Sequence, residues 1–133
     1  MMDAENSQIE LAFPEIRVID WPRAVRWYVE VMGLRLVLED VAHQFALLGA
    51  GGSRLALKAG ERRGGETPTV RLVFRVNDVE AERERLIARG VEVGPAMENR
   101  AEAYRSVTLV DSDGTPITLF SWQDSLDPNS PQA

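Results

Sequence analysis

Apolar and polar residues alternate along this chain with two different periods, and each change of period marks an element. The run Phe13 to Ile19 (FPEIRVI) has the two-residue alternation of a strand. From Trp21 the period lengthens: Trp21, Ala24, Val25, Tyr28, Val31 and Met32 recur at helical spacing and make a broad apolar face. Asp20 stands at the N-cap, where a carboxylate accepts from the free amides of a first turn. Pro22 fits that first turn, where a missing N–H is no loss, and Gly33 sits where a left-handed C′ residue is wanted. Three strand-like runs follow: LRLVLEDV (34–41), HQFALLG (43–49) and SRLALKA (53–59). Gly49-Ala50-Gly51-Gly52 reads as the hairpin turn between the last two.

The same pattern then repeats. TVRLVFRV (69–76) reads as a strand, Asp78 as a cap, and about twelve residues as a helix ending at Gly90. The capping Asp residues lie 58 positions apart (20 to 78) and the glycines 57 (33 to 90), so the register holds to within one residue. Val79, Leu86 and Ile87 give the second helix a thinner apolar stripe. Its exposed side offers Glu80–Arg83 and Glu82–Arg85 at i,i+3 spacing. VEVGPAM (91–97), YRSVTLV (104–110) and PITLFSW (116–122) are the remaining strands, with Asp111-Ser112-Asp113-Gly114 as a turn. Each half therefore reads β-α-β-β-β. We expect one domain over 1–133: a first module over about 9–59, a Gly-rich linker (GERRGGETP, 60–68) and a second module over about 69–123. The first eight residues and the tail 124–133 are expected to be poorly ordered.

Composition narrows the class. At 133 residues, 44% apolar and 27% charged, the chain can bury a real core. The absence of cysteine removes disulfides and thiolate chemistry. The acidic N-terminus is unlike a signal peptide and no apolar run reaches the length of a membrane span, so a cytoplasmic location is expected. A net charge of −6, with 15 unclustered Lys and Arg, argues against general nucleic-acid binding. Asp111-Ser112-Asp113-Gly114 resembles the start of a calcium loop. However, the position that needs a bidentate Glu holds Trp122. The glycine run at 49–52 does not continue into a phosphate loop.

Three segments, IRVIDWPRAVRWYVEVMGL (16–34), VFRVNDVEAERERLIARGVEV (73–93) and RSVTLVDSDGTPITLF (105–120), occur in order within this repeat. Together they resemble the vicinal-oxygen-chelate superfamily, which contains the glyoxalases, bleomycin resistance proteins and extradiol dioxygenases. Ser112 replaces the proline usual in that family's last turn. The resemblance implies an α+β fold in which two βαβββ modules form an open, cup-like mixed sheet around a ligand cavity. It also implies a homodimer.

Enzymes of that family generally hold a divalent metal through His or Glu on the first and fourth strands of each module. Carried over, the first-strand positions lie seven residues before each capping Asp, at Phe13 and Arg71. The fourth-strand positions are the centres of Leu55-Ala56-Leu57 and Ile117-Thr118-Leu119, namely Ala56 and Thr118. Only the Thr118 hydroxyl among these is a donor, and a weak one. The single histidine, His43, lies outside the four positions. We therefore expect no metal and no other cofactor.

Strand parity fills in the rest of the implied lining. Phe13, Glu15 and Arg17 share one side, with Ile16 and Val18 toward the helix. Arg71, Val73 and Arg75 face inward from the second module, with Ala56 and Lys58 from one fourth strand and Thr118, Phe120 and Trp122 from the other. Tyr104 or Arg105 stands at the mouth. Trp27 and Tyr28 are expected in the core or an interface. The lining is cationic and aromatic, which suits a small planar or anionic organic molecule. The alternative is a cup closed by internal salt bridges, Glu15 pairing with the arginines. Two functions follow. One is a non-enzymatic binder like the family's drug-sequestering branch; the other is an enzyme (lyase, isomerase or dioxygenase) with a displaced metal or none, using Glu15 as base. A regulatory module with an unused cavity is a third.

Overall fold

In the computed structural model, which describes residues 11–61 and 70–123, the first module opens on β1 (Glu15–Val18). Its Ile16 and Val18 are buried while Glu15 and Arg17 are exposed, as the alternation predicts. The Asp20 carboxylate accepts from the Arg23 amide at 3.2 Å and starts α1 (Trp21–Arg26), which buries Trp21, Ala24 and Val25. The Trp21 indole donates to the Leu57 carbonyl at 3.1 Å, fastening α1 to the sheet. β2 (Arg35–Asp40), β3 (Phe45–Ala50) and β4 (Ser53–Ala59) complete the module in the order β1-β4-β3-β2. β1 runs parallel to β4, and the other pairs are antiparallel. A parallel pair needs a crossover, which the helical segment supplies.

The second module repeats this plan with β5 (Leu72–Arg75), α2 (Val79–Ala88), β6 (Met97–Asn99), β7 (Tyr104–Val110) and β8 (Pro116–Trp122), ordered β5-β8-β7-β6. Asp78 caps α2 by accepting from the amides of Glu80 and Ala81. Gly33 and Gly90 both take the left-handed conformation, with φ of 87° and 86°. The chain is thus two βαβββ units in tandem, each with one mixed sheet. It divides into compact units at residues 63 and 64, inside the expected linker. Linker residues 62–68 and the ends expected to be poorly ordered (1–8 and 124–133) lie outside the described residues.

Several local expectations need correction. Residues 27–32 continue α1 as a π-helical stretch (Trp27–Met32), whose wider winding leaves Val31 and Met32 half-exposed while Tyr28 is fully buried. In VEVGPAM only Met97 is strand, because Pro95 has no N–H for a ladder and β6 begins after it. Gly49 and Ala50 belong to β3, and the hairpin turn is Gly51-Gly52 alone, with Ala50 paired to Ser53. Ile87 is exposed, so the α2 stripe is Val79 and Leu86. Glu82 pairs with Arg85 at 2.8 Å, but Glu80 pairs with Arg105 at 3.1 Å and Arg83 donates to the carbonyls of Gly94 and Val93. Longer-range partners outcompete the i,i+3 spacing there.

Candidate functional site

Strand β8 sorts the chemistry of the second module. Ile117, Leu119 and Ser121 are buried, and the Ser121 hydroxyl accepts from the Val79 amide at 3.3 Å, which fixes that side of the sheet against α2. Thr118, Phe120 and Trp122 therefore lie on the opposite, open side. Register aligns three rows across it. Val73, Thr118 and Thr108 form one, Arg75, Phe120 and Ser106 the next, and Trp122, Tyr104 and Asn99 the last.

The aromatic rings of the last two rows pack edge to face. Tyr104 lies 6.0 Å from Phe120 and 6.3 Å from Trp122, and Phe120 lies 5.2 Å from Trp122, all three pairs T-shaped. At the other end of the face the Arg71 guanidinium donates to the Thr118 hydroxyl at 3.1 Å. One N–H is used in this bond, and among the described residues no carboxylate engages the rest of the fork, which is suited to an anion. Of the two candidates for the mouth, Tyr104 is on this open face, while Arg105 is on the helix side against Glu80.

The open side of the first module is built differently. Glu15 aligns with Ala56 and Leu47, and Arg17 with Lys58 and Phe45. Phe13 rests near Phe45, ring centroids 6.5 Å apart, and the Ala56 amide donates to the Pro14 carbonyl at 2.9 Å. The charges here are already engaged: Arg17 pairs with Glu15 at 3.3 Å, and the Lys58 ammonium donates to the His43 carbonyl. Asp40 holds the same β2–β3 turn, accepting from the His43 amide at 3.1 Å and pairing with its ring at 2.9 Å. Those bonds, the backbone one first, hold the Asp40 carboxyl below its usual range. Glu15, the candidate base, meets its own strand's arginine and, among the described residues, no nucleophile.

The two positions per module that the resemblance assigns to metal ligands are brought side by side. Arg71 touches Thr118, and the Phe13–Pro14 segment touches Ala56. Their donor chemistry does not fit a divalent cation. Phenylalanine and alanine carry no donor, and a guanidinium is a cation that donates hydrogen bonds. Among the described residues no group of three or more His, Cys, Asp or Glu stands where it could hold a metal ion.

The sequence reading passed over Asn99, Ser106 and Thr108. The alternation of YRSVTLV puts Ser106 and Thr108 on the Tyr104 side and could have found them. Asn99 depends on a turn with no sequence period.

A family model of the Glyoxalase/Bleomycin resistance protein/Dioxygenase superfamily matches residues 10–119. Among solved structures, TnmS3, an antibiotic binding protein from Streptomyces sp. CB03234, is 25% identical with a TM-score of 0.73, over 89% of this chain and 100% of that one. A glyoxalase/bleomycin resistance protein from the same organism is 27% identical with a TM-score of 0.64, over 83% and 98%. Lactoylglutathione lyase from Agrobacterium tumefaciens shares the fold at 17% identity, with a TM-score of 0.69 over 84% and 92%. No protein of curated function matches the sequence.

Proposed function

The chain belongs to the glyoxalase/bleomycin resistance protein/dioxygenase superfamily, and from that premise we propose that it binds a small, planar, anionic organic molecule without transforming it. The observation that carries this reading is the open face of the second module, where Arg71, braced by Thr118, shares one sheet surface with the rings of Tyr104, Phe120 and Trp122. A guanidinium fork grips a carboxylate or phenolate, and aromatic faces and edges hold a ring system beside it. Arg75, aligned with Phe120, adds a second cation to that surface. The similarity to an antibiotic binding protein supports sequestration of such a molecule. The donor-poor positions Phe13, Ala56 and Arg71 favour binding over metal-assisted catalysis. On the first module, Phe13, Glu15, Arg17 and Lys58 then serve mainly to hold their own sheet.

Calorimetric titration with 9-fluorenone-2-carboxylate, a rigid tricyclic acid, tests the reading. Saturable binding is expected, weakened about tenfold or more in Arg71→Ala, since a charge-assisted bond contributes roughly 1.5–3 kcal/mol. Arg26→Ala, on α1, leaves it unchanged. Absence of binding, or equal loss in both variants, would overturn the proposal. We take the protein as a cytoplasmic homodimer. Light scattering should then give twice the chain mass of 14.8 kDa. No helix among the described residues is long and apolar enough to cross a membrane.

A further inference from the structure

The turn from β6 to β7 ties Asn99 to Tyr104 in a way that fixes the direction of one hydrogen bond. The Asn99 carbonyl oxygen accepts from the Glu102 backbone amide at 2.9 Å. That bond settles which end of the side-chain amide is which, because a backbone N–H must meet the oxygen. The NH2 end is then turned to Tyr104 and donates to the phenol oxygen at 3.2 Å, with a second, longer bond to the Glu102 carboxylate at 3.3 Å. An amide NH2 cannot accept, so the phenol proton cannot point at Asn99. Among the described residues the Tyr104 hydroxyl has no other hydrogen-bond partner, so its proton is left to donate elsewhere. A phenol that is itself receiving a hydrogen bond is a stronger donor.

The residue just before Tyr104 supplies a second, independent observation. Ala103 is buried and has φ of 59°, a left-handed conformation that costs an L residue energy. It is held there by its carbonyl, which accepts from the Gln123 amide at 2.8 Å beyond the end of β8. Strain of this kind persists only where surrounding bonds over-determine the backbone, and such residues cluster at ligand-binding segments. Here the strained residue sets the start of β7, and thereby the ring that packs against Phe120 and Trp122.

We infer that Tyr104 is a specificity-determining hydrogen-bond donor to a carbonyl or similar acceptor oxygen on the bound ligand, with Asn99 as its positioning residue. The inference rests on the proposed binding face and names its ligand more closely: a planar aryl acid that also carries an acceptor oxygen away from its anionic group. The anion lies beside the Arg71 guanidinium, over the row of Thr118. The acceptor oxygen lies toward the Tyr104–Trp122 row, four residues further along β8 and about 13 Å away between backbones.

The test compares 9-fluorenone-2-carboxylate with fluorene-2-carboxylate, which has the same shape and anion but no ketone oxygen. Calorimetric titration of the full chain should show the ketone acid binding about fivefold to tenfold more tightly, the worth of one hydrogen bond. Tyr104→Phe keeps the ring and loses the proton, so it should bind both acids equally, at the wild-type affinity for fluorene-2-carboxylate. Asn99→Asp should also erase the preference, because a carboxylate at 99 accepts the phenol proton. A role confined to folding would weaken both acids in parallel and leave the ratio intact. Equal binding of the two acids by the wild type, or a preference that survives Tyr104→Phe, overturns this inference alone. Binding of neither acid overturns it together with the proposed function.

Discussion

Asp111 holds the β7–β8 turn through its carboxylate and its backbone carbonyl. Its Oδ1 accepts from the amides of Asp113 and Thr115, both at 2.8 Å, and its carbonyl accepts from the Gly114 amide at 3.1 Å. The residue that makes this stretch resemble a calcium loop is thus engaged by backbone N–H groups, and it is buried. Asp111→Ala strands two amides in a closed turn and should cost about 2 kcal/mol or more, read as a lowered urea midpoint. Asp111→Asn keeps an acceptor and should cost clearly less; equal losses would show that charge, not acceptance, matters. Asp40 makes a comparable turn on the surface, and its pH dependence has a definite sign. Its folded carboxyl titrates below the usual 3.8, held down first by the His43 amide and then by the His43 ring. The stability it contributes is therefore present above that ordinary value and lost as pH falls through the lowered one. The difference in urea midpoint between wild type and Asp40→Asn should be small but measurable at pH 6 and should shrink as pH falls below 3.8. A constant difference would assign the effect to packing.

The elements show where sequence patterns carry structure and where they stop. SRLALKA, YRSVTLV and PITLFSW are β4, β7 and β8 to the residue, because period-two alternation and flanking turn residues agree. Both helix starts and both helix-ending glycines were legible, since caps are local chemistry. The π-helical stretch was not, because a single inserted residue leaves no mark on a pattern read at helical period. Nor was the short β6, where Pro95 interrupts a run whose apolar residues look strand-like. Two glycines separate backbone from packing effects. Gly33 has φ of 87° and open space where a Cβ would stand, so Gly33→Ala should cost about 1 kcal/mol from backbone strain alone. At Gly49 an added Cβ would meet the Arg35 guanidinium, 2.6 Å from Nη2, which is the movable end of a flexible side chain. Gly49→Ala should cost less than Gly33→Ala in urea unfolding. The reverse order would mean that Arg35 is fixed over β3.

At the scale of the molecule, two modules of one topology carry different chemistry on equivalent strands. The resemblance assigned Phe13, Ala56, Arg71 and Thr118, and each pair stands on equivalent strands of the two modules. Which side chains would engage each other was not legible. Arg17 meeting Glu15 and Lys58 meeting a turn carbonyl in one module, against Arg71 meeting a hydroxyl in the other, follow from rotamers and turn geometry. This asymmetry leaves Arg71 without a carboxylate partner among the described residues, within a chain whose net charge is −6. An anionic ligand is then repelled by the molecule at long range and attracted by Arg71 at short range. Salt screens exposed charges that lie farther apart than a Debye length, about 10 Å at 0.1 M, while a close guanidinium–carboxylate contact is screened much less. If the grip is organic, removing divalent ions should change nothing. Protein treated with EDTA should bind 9-fluorenone-2-carboxylate with unchanged affinity, and added Zn²⁺ or Mn²⁺ should not tighten it. Ligand at one hundred times its Kd should raise unfolding stability by about 2.7 kcal/mol, with or without chelator. A loss of binding on chelation, restored by one equivalent of ion per chain, would show a metal held by residues other than these four. It would move the protein to the catalytic side of its superfamily.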